Sequence, residues 1–389
     1  MIETDFQLSD WGLYIHIPFC QARCTYCDFN TVTHMGVDEH QRYMDALALE
    51  WERADLPEGR LISLFFGGGT PSLVDPRLIG HFIDRVRSRA RDFDSRVEVT
   101  LETNPGTVNL DHLKTLREVG VNRLSIGAQA MQDSHLKALN RVHGVEDIKR
   151  VVADARSAGF DNVSLDAIYG LPGQCVAEWQ ETLSELLRLR PDHLSLYRLQ
   201  VETGTPLADG VRLGTLIIPD DDRIADMADY AEDVLDRSGF EHYEISNWGL
   251  KGRLSQHNQL YWTLNSYLGL GAGAHSYHQG QRWWNYRGVR RYIESQHAGD
   301  SARDDGEVLS SMEQMREYVW LGLRRRRGVD RERFYAKFKE PLDQVFAPQI
   351  RELTAMGLVE SENTNLRLTV RGQDLANAVF RKFMAEVVS

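Results

Sequence analysis

Three of the chain's four cysteines, Cys20, Cys24 and Cys27, fall within eight residues in the stretch GLYIHIPFCQARCTYCDFN. Cysteines at this spacing read as a metal site rather than a disulfide framework. Soft sulfur ligands select zinc, copper(I) or an iron–sulfur cluster. A structural zinc needs a closed shell of four protein ligands, which His16 or His34 could complete. An iron–sulfur cubane held by three cysteines instead leaves one iron open to another ligand. The fourth cysteine, Cys175, lies far along the chain, at the start of a helical stretch. With so few cysteines, a reducing cytosol that keeps them as thiols is the expected compartment.

Further polar residues close successive apolar runs. LFFGGGTPS sets Gly67, Gly68, Gly69 and Thr70 after one such run, and glycines without a Cβ let backbone approach a ligand closely. LETNP places Glu102, SIGAQA places Gln129 and SLDAIYGLP places Asp166 in the same way. Arg141, in LNRVH, offers a fork for a carboxylate. Each alone also reads as a turn, a cap or a surface ion pair. Together they would ring one end of a sheet.

The elements needed to hold such a ring are present. From Leu13 to about Glu202 the runs LYIHI, LISLFF, VEVTLE, RLSIGA, NVSLDAIY and HLSLYRLQ alternate with helical patterns. In one of these, Trp179, Leu183, Leu186 and Leu187 share a face. Six β-then-α units imply parallel strands, either doubly wound or as a partial or complete barrel, with the ligand at the carboxyl ends. A further helix carries Ile224, Met227, Ala231 and Val234 on one face and stops at Gly239. We expect a barrel domain over residues 1–240, an aromatic-rich extension over 241–300 and a C-terminal domain over 301–389. GDSARDDGE reads as a polar linker, and the final helix, glycine, strand, ENTN turn, strand and helix suit a winged-helix-like module.

Composition narrows the function classes. The 389 residues are 42% hydrophobic and 26% charged, with a formal net charge of −12, which disfavours a nucleic-acid partner. The basic run RRRRG, Arg324 to Arg327, reads as a solvated helix end because Asp330 and Glu332 follow. No stretch approaches the roughly 18 uncharged residues of a spanning helix, and the start lacks a signal-peptide pattern. A cytoplasmic protein is expected.

CQARCTYCDF, a CxxxCxxC followed by an aromatic, resembles the radical S-adenosylmethionine (SAM) superfamily. That resemblance implies a partial (β/α)6 barrel and a 4Fe-4S cluster on Cys20, Cys24 and Cys27. It also implies SAM chelated at the open iron, which reduction can split to a 5'-deoxyadenosyl radical. Nearly the whole chain is similar to oxygen-independent coproporphyrinogen III oxidases and their relatives. By that similarity Tyr14, Gly68, Gly69, Thr70, Glu102, Gln129, Arg141 and Asp166 are SAM contacts.

Two departures bear on activity. The oxidases resemble CxxxCxxCxC, whereas Phe29 stands two residues beyond Cys27, and only nineteen residues precede Cys20 where the oxidases carry a longer leader. Both departures match the related haem chaperones of the HemW type, as does HNQLYW, His257 to Trp262. This resemblance implies haem as cargo, an acceptor haem protein, met for instance at a membrane surface, and an electron donor if SAM is cleaved. His257 becomes the candidate haem ligand, with Tyr261 and Trp262 in the pocket, because an imidazole can ligate haem iron and aromatics can pack on a porphyrin. His242, His275 and His278 compete in the same region, with Cys175 behind them. The alternative is a radical SAM enzyme acting on a tetrapyrrole, whether decarboxylase-like or methyl-transferring. No catalytic residue, haem acceptor or choice between monomer and dimer follows from the sequence. GLGAGAHS lacks the glycine spacing and βαβ context of a dinucleotide loop and reads as a turn near the barrel opening.

Overall fold

The structure, a computed structural model, describes residues 6–384. Six parallel strands pair in chain order: β1 (Trp11–Ile17), β2 (Leu61–Gly68), β3 (Glu98–Thr103), β4 (Arg123–Gln129), β5 (Val163–Tyr169) and β6 (His193–Arg198). The helices between them are α1 (Val37–Arg53), α2 (Pro76–Arg89), α3 (Leu110–Glu118), α4 (Val145–Ser157) and α5 (Val176–Arg188), and α6 (Asp221–Arg237) follows β6. Leu13, Ile15, Leu64, Phe66, Leu124, Ile126 and Leu165 lie in one core with the buried faces of these helices. Side chains alternate along a strand, so the other face carries Gly12, Tyr14, Ser63, Glu98, Glu102, Arg123 and Asp166. The barrel therefore has an apolar outside under helices and a polar inside.

The sheet does not close. Beyond β6 lie the antiparallel β7 (Glu241–Glu244) and β8 (Asn247–Gly249). Beyond β1 lie the parallel β9 (Ser266–Leu270), then the antiparallel β10 (His275–His278), β11 (Gln281–Asn285) and β12 (Arg303–Val308). The strands within residues 241–300 extend both edges of one twelve-stranded sheet. GDSARDDGE is not a linker. Its second half is edge strand β12, whose exposed charged side chains guard the free edge.

A short helix, α7 (Gln256–Trp262), lies under the amino-terminal strand ends. Ser255 caps it, and Glu98 at the start of β3 accepts from the N–H groups of Gln256 and His257, each at 3.1 Å. A carboxylate at a helix N-terminus satisfies otherwise orphaned donors. The turn Gly271–Ala274 is pinned to α1. Glu50 accepts from Gly271 N (2.9 Å), Asn285 Nδ2 (2.6 Å) and Tyr292 Oη (2.6 Å). Tyr292 lies on α8 (Val289–Ala298), which packs on α1.

A second core gathers α9 (Ser311–Gly322), α10 (Arg331–Phe338), α11 (Ala347–Ala355) and α12 (Ala376–Met384). They surround β13 (Val329–Asp330), β14 (Val359–Glu362) and β15 (Asn365–Leu368), the last two joined through Asn363 at φ 52°. RRRRG is a half-buried clasp rather than a solvated end. Arg324 lies over the Trp262 ring at 4.5 Å, while Arg326 bonds Glu232, His242 and Gln373, tying the barrel to the C-terminal domain. Among the described residues no helix is long and apolar enough to cross a membrane.

Candidate functional site

The cysteine loop leaves β1 at Pro18, and a two-residue ladder pairs Phe19–Cys20 with Val32–Thr33 to close it. It is anchored from outside by Thr25 N to Leu139 O (3.2 Å), Leu207 N to Thr25 O (2.9 Å) and Asn140 Nδ2 to Arg23 O (2.9 Å). Thr70 Oγ1 donates to Cys20 Sγ at 3.6 Å and Arg141 Nη1 to Cys24 Sγ at 3.3 Å. Burial pushes the Cys20 and Cys27 thiols up, against the Thr70 hydroxyl at the first and the Phe29 N–H at the second. These thiols would lose their protons to a metal, as thiolate ligation requires.

The donor set fits a cluster better than a single ion. Among the described residues no three His, Cys, Asp or Glu side chains converge on one metal position. His16 is committed elsewhere, Nε2 to Asn30 O (2.9 Å) and Nδ1 to Tyr14 Oη (3.1 Å), and His34 is exposed. The closed zinc shell is therefore not assembled. A cubane takes one thiolate per iron, which the three cysteines lining one cavity can supply.

That cavity, of about 500 Å³, lies at the carboxyl ends of the strands. Its walls bring together Cys20, Cys24, Cys27, Gly68, Gly69, Thr70, Glu102, Gln129, Arg141 and Asp166. Glu102 accepts from Gly68 N at 3.0 Å, and burial holds its carboxyl up at about 7. Asp166 accepts from Ser125 Oγ (2.9 Å) and Ser164 Oγ (3.3 Å), and burial raises it too, against the opposing Ser195 and Ser125 hydroxyls. Gln129 sits at φ 66°, a left-handed backbone that is costly for a residue with a Cβ. Arg141 spends Nη2 on Gly127 O (3.0 Å) and leaves a buried Nε with no partner. Buried carboxylate acceptors and a guanidinium with an unpartnered Nε thus line one cavity.

The glycines act differently from the sequence expectation. A Cβ at Gly68 (φ 114°) would lie 2.5 Å from the His16 ring, and one at Gly69 would lie 2.7 Å from Phe19 O. They are small because the chain's own β1 exit presses on them, and their backbone lines the cavity beside the cysteine loop. Tyr14 does not line the cavity. It lies a layer deeper, its ring 6.1 Å from Phe65 and 6.3 Å from His257. The sequence reading missed Tyr26, Ser125 and Tyr197 as lining residues. The aromatic between Cys24 and Cys27 was the available signal for Tyr26, which hydrogen-bonds Cys24.

The structure does not bring His257, Tyr261 and Trp262 to this cavity. They sit on α7 at the opposite end of the barrel. His257 is 2% exposed, with Nδ1 bonded to Ser63 Oγ (2.8 Å) and Nε2 to Tyr261 Oη (2.9 Å), and burial drives its basicity down to about 3. As packed, it offers iron no free nitrogen. Cys175 is exposed at the start of α5, away from the cavity. Phe29, where the oxidases would carry a fourth cysteine, is 61% exposed at the cavity wall.

Fold and site together define a radical SAM protein. Residues 14–186 match the radical SAM superfamily and residues 309–375 the HemN C-terminal domain. The chain is 35% identical to the heme chaperone HemW of Lactococcus lactis over 97% of its own length and 98% of the relative's. It is 36% identical to that of Bacillus subtilis, over 96% and 99%, and 32% identical to that of Escherichia coli, over 98% and 100%. Coproporphyrinogen III oxidase (HemN) from E. coli shares the fold, with a TM-score of 0.84 at 24% identity over 97% of this chain and 90% of that one. The chain belongs to the HemW family of the radical SAM superfamily.

Proposed function

We propose that this chain is a cytoplasmic haem chaperone that binds haem, holds a 4Fe-4S cluster and SAM, and hands haem to an acceptor haem protein. The observation that carries this reading is full-length likeness to proteins named heme chaperones. Phe29 in place of the oxidases' fourth cysteine supports it.

Cys20, Cys24 and Cys27 would hold the cluster, which supplies an iron able to bind a ligand and an electron to give. Thr70 and Arg141 stabilise thiolate charge at Cys20 and Cys24 through N–H and O–H donors. Glu102, Gln129, Asp166 and the free Arg141 Nε would orient SAM, and burial of the carboxylates excludes water from their bonds. Tyr14 supports this layer from below through His16.

A second reading, radical chemistry on a tetrapyrrole, is favoured by the completeness of the cysteine and SAM-side residues around one cavity. Anaerobic incubation of the reduced, cluster-replete chain with SAM separates the two. The chaperone reading expects stoichiometric haem binding and no decarboxylated product from coproporphyrinogen. Catalytic conversion of the porphyrinogen with 5'-deoxyadenosine release would overturn it.

A further inference from the structure

If the chain carries haem, some side chain must meet the iron, and the packing of its histidines discriminates among them. Between residues 240 and 300 there are five: His242, His257, His275, His278 and His297. His257 is enclosed with both nitrogens bonded. His242 lies between Arg326 and Glu232 and stacks on Trp248 at 4.0 Å. His278 bonds Ser266 Oγ at 2.9 Å and has the Glu58 carboxylate as its charged neighbour, unfavourable for an anionic porphyrin. His297 ends α8 in the outer helix layer, with no aromatic ring beside it among the described residues.

His275 differs from all four. It is exposed on β10, and neither ring nitrogen has a hydrogen-bond partner among the described residues. It pairs directly across the ladder with Trp284, ring centroids 5.7 Å apart. Residues two apart on a strand share a face, so His275 lies on the side of Tyr277, which packs toward Tyr267 and α7. This is the concave side that continues the barrel interior. Burial, then Arg287 and Arg282, lower the basicity of His275, so the ring is neutral near pH 7, the form that ligates metals.

Arg287 supplies the matching charge. Its guanidinium is exposed and has no ion-pair partner among the described residues, yet it lies close enough to depress both His16 and His275. The platform is tied to the cysteine loop, because Asn30 Nδ2 donates to both Ala272 O and Arg287 O at 2.9 Å. Asn30 is the neighbour of exposed Phe29 at the cavity wall. A neutral imidazole paired with an indole, and an unpaired cation whose backbone is tied to the cysteine loop, thus share one stretch of sheet beside that loop.

We propose that His275 is the haem-iron ligand, with Trp284 against the macrocycle and Arg287 paired to a propionate, on the concave face of the sheet extension beside the cysteine loop. The inference rests on the haem-chaperone reading. Haem would then be carried on the sheet extension beyond β1, where an acceptor can reach it, while the cavity stays with the cluster and SAM.

The test is an anaerobic titration of the cluster-replete full chain with ferric haem, followed by the Soret band and by electron paramagnetic resonance. Wild type should saturate at one haem per chain. His275→Ala should weaken binding by at least the roughly 10–100-fold typical of losing a supporting partner of a metal ligand and lose the nitrogen-ligand signature. His275→Gly should regain that signature on adding imidazole, which a folding defect would not allow. Arg287→Glu should weaken binding while keeping the wild-type iron spectrum. Wild-type affinity and an unchanged spectrum in His275→Ala would overturn the assignment. Failure of wild type itself to bind haem would instead overturn the chaperone reading beneath it.

Discussion

Replacing His257 by alanine should destabilise the barrel floor whether or not haem is present. The imidazole is neutral, nearly inaccessible and bonded at both nitrogens, to Ser63 at 2.8 Å and Tyr261 at 2.9 Å. Truncation leaves the fully buried Ser63 hydroxyl without a partner, a loss of about 1–3 kcal/mol, and opens a ring-sized void lined by Phe65 and Leu260. Tyr261 is only half-buried, so water can replace its partner at smaller cost. Together these effects come to about 3 kcal/mol. Anaerobic urea unfolding would measure this, with hydrogen exchange at β2 and α7 as a local readout. A double-mutant cycle with Ser63→Ala should give a coupling of about 1 kcal/mol. A loss below about 1 kcal/mol, or no coupling to Ser63, would mean that His257 is not held by these bonds and would return it to the available haem ligands.

Other expectations follow from the same geometry. His257 protonates near 6.5 when unfolded but is held down to about 3 when folded. Its contribution is complete above pH 6.5 and is lost as pH falls, by about 2 kcal/mol at pH 5. Urea titrations of wild type and His257→Asn should show that the variant lacks this extra acid sensitivity, and parallel curves would count against it. Alanine at Cys20, Cys24 or Cys27 should abolish cluster retention in iron and sulfide analysis, whereas Cys175→Ala should leave it intact, and cluster loss at Cys175 would mean a fourth protein ligand. Arg141→Gln removes a positive donor to Cys24 Sγ and should lower the cluster's midpoint potential. An unchanged potential with the iron content preserved would contradict that contact's role. Glu102→Gln should weaken SAM binding roughly ten- to hundredfold in anaerobic calorimetry, the range for losing a hydrogen bond to a charged group, and wild-type affinity would remove Glu102 from the site.

Much of the barrel was legible because each strand combines β-branched and apolar residues on one face with a polar residue near its carboxyl end. Leu13, Ile15 and Ile17 alternate with Tyr14 and His16, so both the strand and its two faces are written locally. Cys20, Cys24 and Cys27 were equally local, since three donors in eight residues need no tertiary knowledge to be grouped. What the sequence concealed was set by distant partners. Arg303–Val308 looks like a linker because its side chains are all exposed, yet its backbone pairs with β11. Arg324 and Arg326 look solvated until Trp262, Glu232 and Gln373 arrive from other elements. His257 looks like a ligand until Ser63, 194 residues earlier, takes its nitrogen. Likewise, no local rule says that the space beside Gly68 and Gly69 is filled by His16 and Phe19.

Delivery of haem by this chain is read from transfer to an acceptor. The cluster-replete chain would be loaded anaerobically with one equivalent of haem, freed of excess, and mixed with an apo haem protein whose Soret band differs from its own. The acceptor should gain its spectrum stoichiometrically without accumulation of 5'-deoxyadenosine, at a rate that rises with acceptor concentration. Haem that stays on the chain, or that leaves at a rate independent of the acceptor, would contradict it.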